Sequence, residues 1–195
     1  VWILGIFASV AMMTTYAGTD LLTPIKANKL GGDAIALTIL PNLFMIFNSV
    51  ATALSGFFFR KFGLVKTVMA GSFGMGLIAI LMPFSPSLFI LYSLQAGGGF
   101  FFGMTVTILL ALIIMGVRPE FQTSRMGLYQ SIYSIGLMIG PMISGFVLEE
   151  TSLKTTYCIM AVAVILMGFL SKKLLPVYLT EYENYGESEI AKVMD

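Results

Sequence analysis

Few residues in this chain could do chemistry, and most of those are uncharged. Asp20 is the one carboxylate inside an apolar stretch, and an ionisable group in such a place is a functional candidate by default. It lies near the end of its stretch, just before Pro24, so it reads as interfacial or else as a possible coupling group. Thr38, Asn42, Ser49 and Thr52 recur at helical spacing on one apolar segment, with Asn48 one position off the stripe. Gln95 stands near one end of another segment, and Tyr129, Gln130 and Tyr133 cluster in a third. Amides, hydroxyls and phenols bind a solute or a neighbouring helix by hydrogen bonds. The candidate cavity residues are therefore Asn42, Ser49, Thr52, Gln95, Tyr129, Gln130 and Tyr133. The chain has no His and a single Cys, Cys158, itself in an apolar run. That composition leaves no Cys/His cluster for zinc or haem and no disulfide framework, so no metal or cofactor is expected. Nothing pairs a nucleophile with a base, and an enzyme is not expected.

These groups must be positioned by apolar elements. Hydrophobic residues make up 57% of the chain and charged residues 11%, against about 25% charged in a soluble domain. A water-soluble fold of this size could not cover its surface with so few charges. The 14 Met, 16 Phe and 20 Gly suit closely packed helices in lipid. A net charge of +1 provides no basic field for nucleic acid.

A bilayer core about 30 Å thick needs roughly 20 apolar residues of helix. The charges divide the chain into six such spans: residues 1–22, 34–59, 64–84, 88–117, 126–148 and 155–170. The last is short and is expected to borrow Lys172 and Lys173 as snorkelling ends. Loops on one side then hold Arg60, Lys61, Lys66, Arg118, Arg125, Lys172 and Lys173, and those on the other only Lys26, Lys29 and Lys154. By the positive-inside rule both ends are cytoplasmic, as an even number of spans requires. Residues 1–174 are thus expected to form one all-α bundle of six transmembrane helices, and 175–195 a polar, acidic cytoplasmic tail. The apolar run at Val1 lacks a preceding Met or basic leader, so the chain reads as beginning mid-protein.

The loop between spans two and three reads Gly56-Phe57-Phe58-Phe59-Arg60-Lys61-Phe62-Gly63-Leu64-Val65-Lys66. Gly56 is expected to let the end of span two approach another helix, and Gly63 to permit a sharp turn. The pattern resembles the signature loop of the major facilitator superfamily, G-x3-D-[RK]-x-G-[RK]-[RK], with matches at Gly56, Lys61, Gly63 and Lys66. Arg60 stands at the Asp position and Leu64 at one basic position, as in the degenerate copy in the C-terminal half of such transporters. Span five carries Gly136-Leu137-Met138-Ile139-Gly140-Pro141-Met142-Ile143-Ser144-Gly145, similar to the family's G-x3-G-P-x2-G-G element with Ser144 for one glycine. Gly136 and Gly140 form a small-residue ridge, and Pro141 bends the helix. In span four, Tyr92-Ser93-Leu94-Gln95-Ala96-Gly97-Gly98 keeps Gln95 and Gly98 of the family's R-x2-Q-G-x-G. Tyr92 replaces the Arg, so a proton-relay role for that position does not carry over.

The resemblance implies one six-helix half of a secondary transporter, moving a small-molecule substrate across the cell membrane by alternating access. Its implied partners are the lipid bilayer and a second six-helix half, N-terminal to this one. Gly56, Arg60, Lys61, Gly63, Lys66, Arg118, Glu120, Arg125, Gly136, Gly140, Pro141 and Gly145 become the candidate conformational and gating residues. Two alternatives stay open: a membrane sensor or assembly protein on the same fold, and a self-sufficient six-helix transporter acting as a homodimer.

Overall fold

The computed structural model describes residues 1–115 and 117–194, with side chains described for 1–115 and 117–176. The order is α1 (Trp2–Tyr16), a π-helical turn (Ala17–Leu22), α2 (Thr23–Lys29), α3 (Ala34–Phe62), α4 (Leu64–Leu81) with a short 3₁₀ turn (Met82–Phe84), α5 (Leu88–Ile114), α6 (Pro119–Glu150) and α7 (Leu153–Met194). Among the described residues, six helices are long and apolar enough to cross a membrane: Trp2–Lys29, Ala34–Phe62, Leu64–Phe84, Leu88–Ile114, Pro119–Glu150 and Leu153–Pro176. The protein is an integral, multi-pass membrane protein whose outer surface is built for lipid. Trp2, Ile35, Met45, Phe89, Met142 and Phe146 are each more than half exposed on these helices, which would be untenable in water.

Local chemistry explains where the helices start and stop. The Asp33 carboxylate accepts the Ala36 amide at 2.8 Å and caps α3. The Ser87 hydroxyl caps α5 through Ile90, and the Ser152 hydroxyl accepts the Thr155 amide at the start of α7. Gly63 turns the chain between α3 and α4 with φ +78°, a backbone region open to glycine.

Several span boundaries differ from those read off the sequence. The first span runs on to Lys29, because the backbone stays helical through the π turn and Leu22 and Thr23 into α2, with Pro24 inside it. The fourth stops at Ile114, where Met115 turns extended. The fifth begins at Pro119, a proline in a first turn, so Glu120 and Arg125 lie on the helix. The sixth spans Leu153–Pro176 and is long enough by itself. The backbone of α7 continues to Met194, so no helix end separates the expected tail at 175; the side chains of 177–195 lie outside the described residues.

Packing follows three principal pairs: α1 with α6, α3 with α5, and α4 with α7. The first two pairs are parallel, since Ser9 and Met13 meet Gly136 and Gly140 in the same order as Phe44 and Asn48 meet Gly99 and Gly103. The third is antiparallel, with Gly76 against Ile165 and Gly168 against Ser72. Exchanging spans one to three with spans four to six maps the first two pairs onto each other and the third onto itself. This is the pattern of an inverted three-helix repeat.

Two buried apolar clusters fill the bundle. One lies toward the Lys/Arg-rich face, around Leu4, Val68, Leu109, Ile113, Tyr129 and Val164. The other lies toward the opposite face, around Leu22, Leu40, Ala79, Met82, Leu91 and Tyr157.

Candidate functional site

A pocket opens between the two clusters, where the first span changes its winding. In the π turn each N–H reaches back five residues, and the Thr23 amide accordingly donates to the Gly18 carbonyl. Thr14, Thr15, Gly18, Thr19 and Thr23 of this span line one side. Gln95 and Gly98 of α5 face them, with Phe44 of α3, Met75, Ile78 and Ala79 of α4, Met82, and Tyr157 and Met160 of α7 completing the wall. The space open to the centre of a water molecule is about 50 Å³, several times the ~10–15 Å³ that one water requires. Gln95, Thr23 and Tyr157 form a buried floor, whereas Thr15, Gly18, Thr19, Phe44 and Gly98 are half-exposed at the mouth. Gln95 lies seven residues into α5, or roughly 10 Å below the end of that helix.

The floor is a single hydrogen-bonded line joining three spans. The Tyr157 and Thr23 hydroxyls are 2.9 Å apart. The Thr23 hydroxyl reaches the Gln95 side-chain carbonyl at 3.4 Å, and Gln95 Nε2 donates to the Thr19 hydroxyl at 3.2 Å. Thr23 has one proton and three acceptors in reach, the Gln95 carbonyl, Met82 Sδ at 3.7 Å and the Tyr157 oxygen; when it goes to Gln95, Tyr157 is the donor to Thr23. The line then runs in one direction from the phenol to Thr19. Nearby, the Thr14 hydroxyl donates to the Met160 carbonyl at 3.3 Å, tying α1 to α7. Desolvation makes such bonds costly to leave unmade, so together they fix where the walls of the pocket stand.

Of the seven cavity candidates from the sequence, the pocket takes Gln95. Asn42 and Ser49 are exposed on α3, and each donates back to its own helix, to the Thr38 and Met45 carbonyls. Thr52 is exposed and pairs with the Thr107 hydroxyl of α5 at 2.9 Å. Tyr129 is fully buried in the core near the Lys/Arg-rich face, its ring 5.5 Å from that of Tyr133, and its hydroxyl has no partner among the described residues. Gln130 is exposed. Asp20 lies on the π turn but is exposed and does not line the pocket.

The residues that build the site with Gln95 are not among the cavity candidates that the sequence offers. Thr19 and Thr23 are one helical turn apart, but Thr14 lies nine residues before Thr23, half a turn out of register in an α-helix, and the π turn between them brings it to the same wall. Tyr157 carries no local signal, since only packing brings it to Thr23.

The candidate gating residues fall into two groups. Gly56, Arg60, Lys61 and Lys66 are exposed at the Lys/Arg-rich end, where Lys61 Nζ sits 5.5 and 5.3 Å from the Phe57 and Phe62 rings. No helix packs on Gly56: a Cβ there would meet only Arg60 Nη1, at 3.9 Å. The expected close approach at Gly56 is therefore absent among the described residues. Arg118 and Glu120 pair at 3.6 Å on the surface, an ion pair of small energetic weight, and Arg125 is half-buried. Gly136 and Gly140 lie against the backbone of α1, Pro141 follows within α6, and Gly145 faces open space up to Leu21. Among the described residues, no three His, Cys, Asp or Glu side chains come together as a metal site would require.

Compared with known proteins, residues 3–190 match the family model described as Major Facilitator Superfamily. No curated protein matches the chain.

Proposed function

The chain belongs to the major facilitator superfamily and is a transporter of that superfamily, and from this premise we propose that it moves a small solute by alternating access. The observation that carries the proposal is the pocket between the first and fourth spans. It places hydrogen-bonding groups at depth in a bundle that otherwise presents apolar side chains to lipid. Binding near the middle of the membrane, between bundles that rock about the site, is the expected arrangement for a secondary transporter. In this reading the chain is the C-terminal six-helix half, and a second half closes the mouth formed by Thr15, Gly18, Thr19 and Phe44. The Lys/Arg-rich face is cytoplasmic, with both ends of the bundle on that side, in the cell membrane.

The test is transport itself. Vesicles carrying the protein are screened for uptake of radiolabelled small solutes, and a solute that is taken up is then assayed after preloading with unlabelled solute. A carrier that alternates shows saturable uptake that rises several-fold on preloading, and Gln95→Leu lowers it. Flux that neither saturates nor responds to preloading overturns alternating access.

A further inference from the structure

We infer that this pocket selects an uncharged, hydrogen-bonding group of the solute and excludes ions; the inference rests on the reading that the pocket lies on the solute path. Its polar side chains are the hydroxyls of Thr14, Thr15, Thr19, Thr23 and Tyr157 and the amide of Gln95. No Asp, Glu, Lys or Arg is among the described residues that line it. The charged groups of the same span are turned to other work or away from it. Lys26 Nζ donates to the Pro83 carbonyl at 2.9 Å, and Asp20 and Lys29 are exposed. Gln95 is 2% exposed, and its amide has bonding capacity beyond the described network. A primary amide offers two N–H donors and two lone pairs. The network uses one donor on Thr19 and one lone pair for Thr23, which leaves one of each for an occupant. Around these points Met75, Met82, Met160, Ile78 and Phe44 form apolar walls.

Such a lining matches a hydroxyl or carboxamide group carried on a hydrocarbon face. An ion entering the same space would lose its hydration with no countercharge to replace it, a penalty of several kcal/mol even after relaxation. A neutral group that forms the spare bonds to Gln95 escapes most of that penalty.

The test uses thiol reagents of one reactive group and three charges: hydroxyethyl, sulfonatoethyl and trimethylammonioethyl methanethiosulfonate. In a Cys158→Ser background, a cysteine is placed at the mouth as Gly18→Cys, where a Cβ meets no atom within 4 Å, or as Thr15→Cys. Rates are normalised to Ser152→Cys, an exposed position at a helix start outside the pocket. The neutral reagent is expected to react at least about tenfold faster than either charged one, the factor set by the uncompensated ion. Adding Gln95→Glu then raises the cationic reagent's rate about tenfold and leaves the anionic reagent slow, since the floor now holds a countercharge. Equal normalised rates for the three reagents overturn the inference. So does an unchanged cation rate with Gln95→Glu, because the selectivity then belongs to the surrounding lipid. Failure of all three reagents to react at either position also overturns it, since the pocket is then closed. None of these outcomes touches the uptake and preloading measurements, so the transport reading stands or falls separately.

Discussion

Two parallel seams run through the bundle, and they solve the same problem from opposite sides. In each, a sparsely buried helix docks in parallel on a core helix: α6 on α1, and α3 on α5. Each seam has two glycines four residues apart against a facing backbone, and each adds one hydroxyl bond between its helices. For α1–α6 the bond is Ser9 Oγ to the Ile132 carbonyl at 3.1 Å; for α3–α5 it joins Thr52 and Thr107. The glycines, however, sit on the sparsely buried helix α6 in one seam and on the core helix α5 in the other. Gly136 and Gly140 of α6 lie against Ser9 and Met13, whereas Gly99 and Gly103 of α5 lie against Phe44 and Asn48. Gly5 of α1 adds a third missing Cβ to the first seam, against the Ile132 side chain, so that seam has glycine on both helices and the second on one. An architecture can therefore be symmetric while the residues that permit it are not.

The largest expected effects test that equivalence directly. Gly136→Ala and Gly99→Ala both drive a methyl into a facing backbone carbonyl, of Ser9 and Phe44 respectively, which cannot swing aside as a side chain would. Each should destabilise the protein by about 3 kcal/mol, read by unfolding titration in mixed micelles. A difference between them larger than about 2 kcal/mol would show that burial of the parent helix matters more than the missing Cβ, and would break the comparison.

A smaller effect is expected from the hydroxyl bonds. Ser9→Ala and Thr52→Val should each cost about 0.5–1 kcal/mol in the same titration, in line with interhelical bonds in membranes. Loss of more than about 2 kcal/mol from either would mean that the hydroxyl, and not the glycine pair, locks that seam.

The smallest effects come from glycines outside the seams. Gly145→Ala would meet only Leu21 Cδ2 at 3.8 Å, and Gly56→Ala only Arg60 Nη1 at 3.9 Å. Both should be neutral or stabilising by about 0.5–1 kcal/mol, because alanine is the better helix former. A clear loss of stability at Gly145 would extend the α6 seam one turn beyond Gly140. Retained stability at Gly56 with reduced uptake would place the role of that glycine in contacts outside this bundle.

The two seams also differ in how readable they were. The α6 ridge stood out because Gly136 and Gly140 are followed by Pro141 in a recognisable pattern. Gly99 and Gly103 are also four residues apart, but Gly97 and Gly98 precede them and no neighbouring proline marks the pair; only the docked position of α3 shows what they meet. The site was legible in the same partial way. Gln95 could be named as a buried amide in an apolar span, but the polar stripe on α3 drew attention to Asn42 and Ser49, which bond their own helix. Regular spacing of polar groups marks a face; it does not say what that face meets.

Charge and hydropathy alone determined that this chain spans a membrane six times. They did so because a bilayer admits only long apolar helices and strands the few charged residues at their ends. Tertiary structure decided where solute chemistry can occur. The π turn at Ala17–Leu22 inserts about one residue, or about 100° of rotation, between Thr14 and Thr23, which no apolar pattern reveals. Thr23, Gln95 and Tyr157 are separated by 72 and 134 positions along the chain and meet only when three spans pack. Their meeting depends on how the first, fourth and sixth spans pack against one another, and that packing is a property of the assembled bundle.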